Sequence, residues 1–175
     1  ALVLLARSRS GARLEAEGAM VPLSQQDPAG WDYARIASAR ALMEQAARAG
    51  RSGPCQVMAA IQLTHARRAF DGAVDWGAVL RLYDVLLALR PSPMVALSRA
   101  LALAQVEGAE AGLAALDALP AERLVLARPW HAARADLLAR AGRVGEARAA
   151  IDAALALDPS RAERLWLAAR REGLG

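Results

Sequence analysis

The strongest constraint on the fold is a pattern of three apolar residues and a proline that occurs twice. The two sets are Tyr83, Leu87, Leu89, Pro91 and Ile151, Leu155, Leu157, Pro159. The two prolines are 68 residues apart. Because a proline ends a helix, the pattern predicts helices that stop at the same point of a repeating unit. Such units bury their apolar faces on their neighbours, which predicts a stacked helical array.

The composition supports an all-helical fold. Apolar residues make up 55% of the 175 positions, but aromatic residues only 4%, so a core would consist mainly of Ala, Leu and Val. Ala and Leu are among the strongest helix formers, whereas the β-branched and aromatic residues that favour strands are scarce. The sequence therefore predicts an all-α protein.

We predict one helical domain over residues 1–175, in three parts. Residues 1–30 are expected to hold the end of a helix followed by a long loop over 10–30, where Gly and Pro are frequent. Residues 31–90 are expected to form degenerate helix pairs, and residues 91–175 clearer repeat units. Because the chain starts without Met and in a helical pattern, we expect a piece of a longer protein.

The helical period begins at Trp31 and predicts an inward face that includes Trp31, Ser38 and Leu42, with Gly50 after the helix. Asp75 is expected to cap a later helix. Five further helices are predicted over 94–106, 110–119, 129–141, 146–157 and 162–171.

The last of these units resembles the tetratricopeptide repeat (TPR). That repeat places a Gly between its two helices, small residues where the helices cross, and a Pro before the next unit. Gly142, Ala147, Ala154 and Pro159 occupy those places. The 68-residue spacing is twice the repeat's 34-residue period. The preceding unit keeps a turn at Gly108 but is two residues shorter there. The resemblance implies a right-handed α–α superhelix of antiparallel helix pairs.

Charge does not indicate a nucleic-acid interface. The formal net charge is +4, the isoelectric point is near 10.4, and every basic residue is Arg. A DNA-binding surface concentrates basic residues on one face, whereas acidic residues alternate with the Arg residues here. An ion-paired or solvated helix surface is the favoured interpretation.

The sequence offers no catalytic or cofactor-binding constellation. Cys55 and His65 are ten residues apart on one predicted helix, or about 15 Å along its axis, too far for a nucleophile and its base. His65 is expected to be a core or capping residue, and Cys55 a small apolar one. His131 lacks the Cys and carboxylate neighbours of a zinc site. We therefore predict a protein that is not an enzyme and has no metal and no cofactor.

A single cysteine excludes an internal disulfide and favours a reducing cytoplasm. The apolar run at residues 1–6 is too short to cross a bilayer, and it lacks the features of a signal peptide. The expected location is cytoplasmic, with no membrane partner.

Several segments, in this order, are similar to a specific family. They are 23–27 with Trp31-Asp32, 53–61, His65-Ala66, Asp75-Trp76, 82–84, 91–100 and 132–138. Together they resemble the C-terminal extension of a group of bacterial extracytoplasmic-function RNA polymerase sigma factors. Those proteins carry a TPR-like domain after their promoter-binding domains. The chain departs from the pattern at Cys55, Ser98 and Ser24-Gln25.

The resemblance implies a regulatory role without catalysis in transcription initiation. Its partners would be the upstream sigma domains of the same protein, core RNA polymerase, or both. Promoter DNA would be bound only by the upstream domains, which these 175 residues lack. The alternative is a free-standing TPR adaptor that binds a peptide or protein unrelated to transcription.

Five residues are candidates for partner binding: Trp31, Asp32, Arg99, Arg134 and Asp136. A Trp beside an Asp at a helix start most often means an N-cap with the ring packed over the junction, but it can also be a binding hot spot. The other three lie on first helices of repeat units, which line the inner surface in this repeat class. Pairing within the chain or simple solvation is the alternative for them.

Overall fold

The computed structural model describes residues 1–50, 53–120 and 124–174. Across these ranges the chain is helical, and the only extended pairing is an isolated antiparallel bridge between Leu14 and Met20. The predicted all-α fold is confirmed. None of the helices in these ranges is both long and apolar enough to cross a membrane.

The helices vary in length from one turn to more than four. They are α1 Leu2–Ser8, α2 Tyr33–Arg48, α3 Pro54–Ala66, α4 Arg68–Asp71, α5 Trp76–Leu89, α6 Pro93–Glu107, α7 Ala109–Asp117, α8 Arg128–Arg140, α9 Val144–Ala156 and α10 Arg161–Glu172. Short 3-10 turns cover Ser10–Ala12 and Pro28–Gly30. From α6 onward, each end lies within two residues of its predicted position.

Local sequence signals explain these ends. The carboxylate of Asp75 accepts a hydrogen bond from the backbone N–H of Ala78 at 2.8 Å, which confirms the predicted cap of α5. Gly50 follows α2 with a φ of +69°, a conformation that glycine adopts without strain. Pro54 and Pro93 each occupy a first helical position, where a missing N–H costs nothing.

The predicted inward face of α2 is wrong. Trp31 lies before the helix in an extended conformation, because Asp32 is the N-cap and the helix begins at Tyr33. The buried residues of α2 are Ile36 and Ala39, and Leu42 is 45% exposed. Counting the period from Trp31 placed the apolar face one position out of register.

The chain forms two compact units. Unit 1 contains Ala1–Arg13 and Pro22–Pro91, and unit 2 contains Leu14–Val21 and Ser92–Gly175. The sequence predicted one domain, with a change from degenerate to clearer repeats between residues 90 and 91. The chain passes from unit 1 to unit 2 between Pro91 and Ser92.

Unit 2 is built on helical hairpins. A single residue, Gly108, connects α6 to α7, whereas residues 141–143 connect α8 to α9. The shorter connection lacks two residues, as the sequence indicates. The core consists of small and branched apolar residues from α6 to α10, among them Leu116, Leu137 and Ile151, which are fully buried.

Two small apolar clusters lie among the described residues of unit 1. One joins Leu5, Ala39 and Ala59 from α1, α2 and α3. The other is centred on Trp31, which packs with Ile36 and Ala66. These clusters hold the residues around which the candidate site is arranged.

The predicted loop over 10–30 is packed at both of its halves. In unit 2, the backbone N–H of Met20 donates to the carbonyl of Ala162 at 3.1 Å. In unit 1, Arg68 donates to the carbonyls of Ser24, at 2.6 Å, and Gln26. Within this loop, Met20 forms the antiparallel bridge with Leu14.

Candidate functional site

The helix-start pair Trp31-Asp32 has a structural role. The Asp32 carboxylate accepts a hydrogen bond from the backbone N–H of Arg35 at 3.0 Å and pairs with its side chain at 3.3 Å. Trp31 is only 4% exposed and packs in the core. Asp32 is therefore the N-cap of α2, and Trp31 has almost no exposed surface for a hot-spot contact.

The candidates on α8 contact other helices of unit 2. Arg134 pairs with Asp117 on α7, and its guanidinium carbon lies 5.8 Å from the centroid of the Trp130 ring. Asp136 pairs with Arg170 on α10 and with Arg140 at 3.7 Å.

Arg140 in turn donates to the carbonyl of Ala104 on α6 at 2.9 Å. The polar residues of α8 therefore link it to α6, α7 and α10. Arg99, the remaining candidate, is half-buried on α6 and makes an interaction of its own.

A group of cationic and aromatic side chains surrounds Trp31 in unit 1. We call it the Trp31 cluster and define it as Arg9, Trp31, Gln62, His65 and Arg68. The guanidinium carbons of Arg9 and Arg68 lie 6.0 and 5.4 Å from the Trp31 ring centroid. Arg9 also donates to the side-chain carbonyl of Gln62. Arg9 directly follows α1, and Trp31 precedes α2. Gln62 and His65 lie on α3, and Arg68 begins α4.

The cluster concentrates positive charge. Burial lowers the pKa of Arg9, and the charges of Arg13 and Arg68 lower it further. Burial also lowers the pKa of His65 to about 4, again with contributions from Arg9 and Arg68. His65 is therefore neutral near pH 7, and its ring packs edge-on against Trp76 with centroids 5.2 Å apart. Of the two roles expected for His65, core or capping residue, this half-buried packing fits the core role.

No carboxylate in the described part of the chain forms an ion pair with Arg9 or Arg68. The indole nitrogen of Trp31, like that of Trp130 in unit 2, is an unsatisfied donor. It is buried and has no hydrogen-bond partner. Buried donors of this kind are rare in folded proteins.

An exposed aromatic pair lies elsewhere in unit 1. The rings of Tyr33 and Phe70 meet edge-on with centroids 5.5 Å apart, and Phe70 is 64% exposed. The Tyr33 hydroxyl donates to the carbonyl of Pro28 at 3.1 Å, which holds its ring in place. Sequence reasoning missed this pair because the two residues are distant in the chain.

The remaining polar candidates do not assemble into a reactive site. Cys55 is exposed, whereas His65 is half-buried in the Trp31 cluster. A ring nitrogen of His131 lies 2.8 Å from the carbonyl of Val125. Within the described ranges, no three His, Cys, Asp or Glu side chains are grouped as metal ligands would be.

Comparison with known proteins gives two matches. Residues 1–47, which cover α1 to most of α2, match a family of unknown function, DUF6596. An uncharacterized protein of Rhizobium meliloti (strain 1021) is 42% identical over 167 residues. The aligned region is 95% of this chain but only 39% of that protein, so the chain spans well under half of its relative's length. No solved structure matches the chain.

Proposed function

We propose that the chain is a non-catalytic protein-interaction and regulatory domain, the TPR-like C-terminal part of an extracytoplasmic-function sigma factor. The observation that carries this proposal is the ordered series of segments from 23–27 to 132–138 that resembles this family's extension. The domain acts in the cytoplasm on the upstream sigma domains, on core RNA polymerase, or on both.

The geometry of the α8–α9 hairpin supports the TPR-like part of the proposal. Gly142 has a φ of +76° between the two helices, as a turn glycine requires. Ala147 and Ala154 are fully buried, where small residues let helices approach closely. Pro159 follows the hairpin and is buried. The proposed arrangement is a superhelix of such pairs.

The length of the Rhizobium relative is compatible with this proposal. That protein contains additional residues beyond the 39% that align with this chain. In the proposed protein, promoter recognition and polymerase binding belong to such additional domains. This chain would instead contribute contacts with the upstream sigma domains, with core RNA polymerase, or with both.

The Tyr33–Phe70 pair is the surface that we assign to this contact, with the upstream sigma domains as the occupant. Exposed aromatic residues are enriched at protein interfaces and depleted from ordinary surfaces. In a chain with 4% aromatic residues, a 64% exposed Phe held against a Tyr is a rigid apolar anchor. Arg134 and Asp136 serve within unit 2 instead.

The alternative function is a free-standing TPR adaptor with a peptide partner unrelated to transcription. The two candidates differ in the coding sequence upstream of residue 1. The sigma-factor proposal requires a helix-turn-helix and a polymerase-binding helical domain in the same reading frame. An upstream sequence that lacks both would favour the adaptor.

A variant experiment tests the assigned surface. Phe70→Ala in the full-length protein is expected to weaken the contact between this domain and the upstream domains by tenfold or more, because it removes the central anchor. Hydrogen exchange of the upstream domains, with and without the substitution, measures the contact. Val106→Ala, which truncates an exposed apolar residue in unit 2, is the matched control. Equal protection in both variants would contradict this assignment.

A further inference from the structure

We infer that the Trp31 cluster is a binding site for an oxyanion, the carboxylate or phosphate group of a small ligand. The site lies within unit 1, where Arg9 and Arg68 face one indole ring whose N–H has no acceptor. This inference goes beyond the proposed function and does not depend on it.

The Trp31 cluster carries positive charge that no described carboxylate compensates. Two half-buried guanidinium groups share one ring, and no carboxylate in the described ranges neutralises either of them. Desolvated cations without a counter-ion are unfavourable, and each one raises the cost of the other. The pKa of Arg9 is lowered first by burial, and then by the charges of Arg13 and Arg68. A bound anion removes the imbalance.

The Trp31 cluster also has N–H groups that donate to no described acceptor. A guanidinium has five N–H groups. Arg9 uses one of its groups on Gln62, and Arg68 uses two on the carbonyls of Ser24 and Gln26. The others, with the indole N–H of Trp31, have no acceptor among the described residues. The cluster therefore contains half-buried guanidinium donors beside a buried indole N–H, and no anionic acceptor.

The two arginine side chains of the Trp31 cluster are preorganised for binding an anion. Arg68 is held in place by two backbone carbonyls, and Arg9 by Gln62 and by the Trp31 ring. Because these side chains are already positioned, binding an anion orders few additional groups. Arginine is also the residue that best matches the planar oxygens of carboxylates and phosphates.

The experiment follows the indole N–H signals of the 175-residue chain by ¹H–¹⁵N NMR. Sodium phosphate and sodium acetate are titrated separately at pH 7, with sodium chloride keeping the ionic strength constant. The Trp31 signal is identified with Trp31→Phe. We expect that signal to shift in a saturable manner, while the signals of Trp130 and Trp166 in unit 2 stay unchanged.

Charge-removing variants connect the shift to the cluster. Arg9→Gln and Arg68→Gln should each raise the dissociation constant of the anion at least tenfold. Arg161→Gln removes one positive charge from an exposed position of unit 2, and should leave the constant unchanged. If Arg68→Gln does not fold, because it releases the 24–26 segment, Arg9→Gln alone decides.

Each outcome of the titrations has a defined meaning. Saturation with phosphate alone identifies a phosphate ligand, and saturation with acetate alone identifies a carboxylate ligand. Saturation with both supports a general oxyanion site. The inference is overturned if neither probe saturates, if Arg9→Gln binds as tightly as the unmodified chain, or if all indole signals shift together.

Discussion

Among the described glycines of unit 2, Gly112 has the least room for a side chain. A methyl group built there would lie 2.5 Å from the Cβ of Ala104, 3.0 Å from a methyl of Leu137 and 3.1 Å from the carbonyl of Ala100. Three helices, α6, α7 and α8, therefore approach each other at a position that has room only for hydrogen.

We predict that Gly112→Ala lowers the free energy of unfolding by about 1–3 kcal/mol, the usual cost of overpacking a core. The better helix propensity of Ala, worth about 1 kcal/mol, only partly offsets this cost. Urea denaturation measures the change. Gly145→Ala is the control, because Gly145 lies in α9 with no atom within 4 Å of the added methyl. Gly145→Ala should raise the free energy of unfolding slightly. A loss of stability in this control would contradict overpacking as the cause of the Gly112→Ala effect.

His65 makes the stability of unit 1 depend on pH. Its pKa in the folded chain is about 4, below the ordinary value near 6.5, because burial, Arg9 and Arg68 disfavour the charged ring. Between these two values the unfolded chain binds the proton more readily. The free energy of unfolding should therefore fall as the pH falls from about 7 to 4.

The expected loss is roughly 2–3 kcal/mol, measured by urea denaturation at several pH values. His65→Phe keeps an aromatic ring against Trp76 but removes the titration, so its profile over this range should be flatter. His131→Gln should retain the slope of the unmodified chain. The explanation fails if His65→Phe and the unmodified chain lose the same free energy.

The predictability of individual residues depends on how local their contacts are. Asp32 and Asp75 act on backbone groups three residues away, so the sequence identified both caps. Arg134 and Asp136 pair with Asp117 and Arg170, which are 17 and 34 residues away. The Trp31 cluster unites positions 9, 31, 62, 65 and 68. Helical spacing relates the last three, but no spacing rule connects them with 9 and 31.

At the scale of elements, the caps set where helices begin. We predict that Asp75→Ala lowers the free energy of unfolding by about 1 kcal/mol, because the first turn of α5 loses an acceptor. Chemical denaturation of the whole chain detects this change. Asp75→Asn, which retains a side-chain oxygen, should lose much less, and an equal loss in both variants would exclude capping as the cause.

Helix ends were predictable from proline and glycine, but burial was less so. Pro91 follows the end of α5, and the positive-φ glycines at 50, 108 and 142 bound their helices, where the sequence indicated. The buried face of α2 was missed, because its period is set by Ile36 and Ala39 and not by the large Trp31 that precedes it. An apolar residue outside a helix can imitate its period.

At the scale of the whole molecule, the sequence located a change near residue 90 but not the division into two units. Repeat spacing shows that helices recur, whereas it does not show which helices share a core. The segment Leu14–Val21 illustrates this limit, since it belongs to unit 2 although unit 1 contains its neighbours on both sides. A hydrogen bond from Met20 to Ala162 fixes it there.

For the whole molecule, we propose that this domain contacts the transcription machinery. The most direct measurement is a pull-down of the domain with the upstream part of its parent protein and with core RNA polymerase. Moderate salt is required, because an isoelectric point near 10.4 favours nonspecific anion binding. We predict capture of at least one of them, weakened by Phe70→Ala and unchanged by Val106→Ala. Capture of neither, with an unrelated peptide or protein retained instead, would contradict the claim.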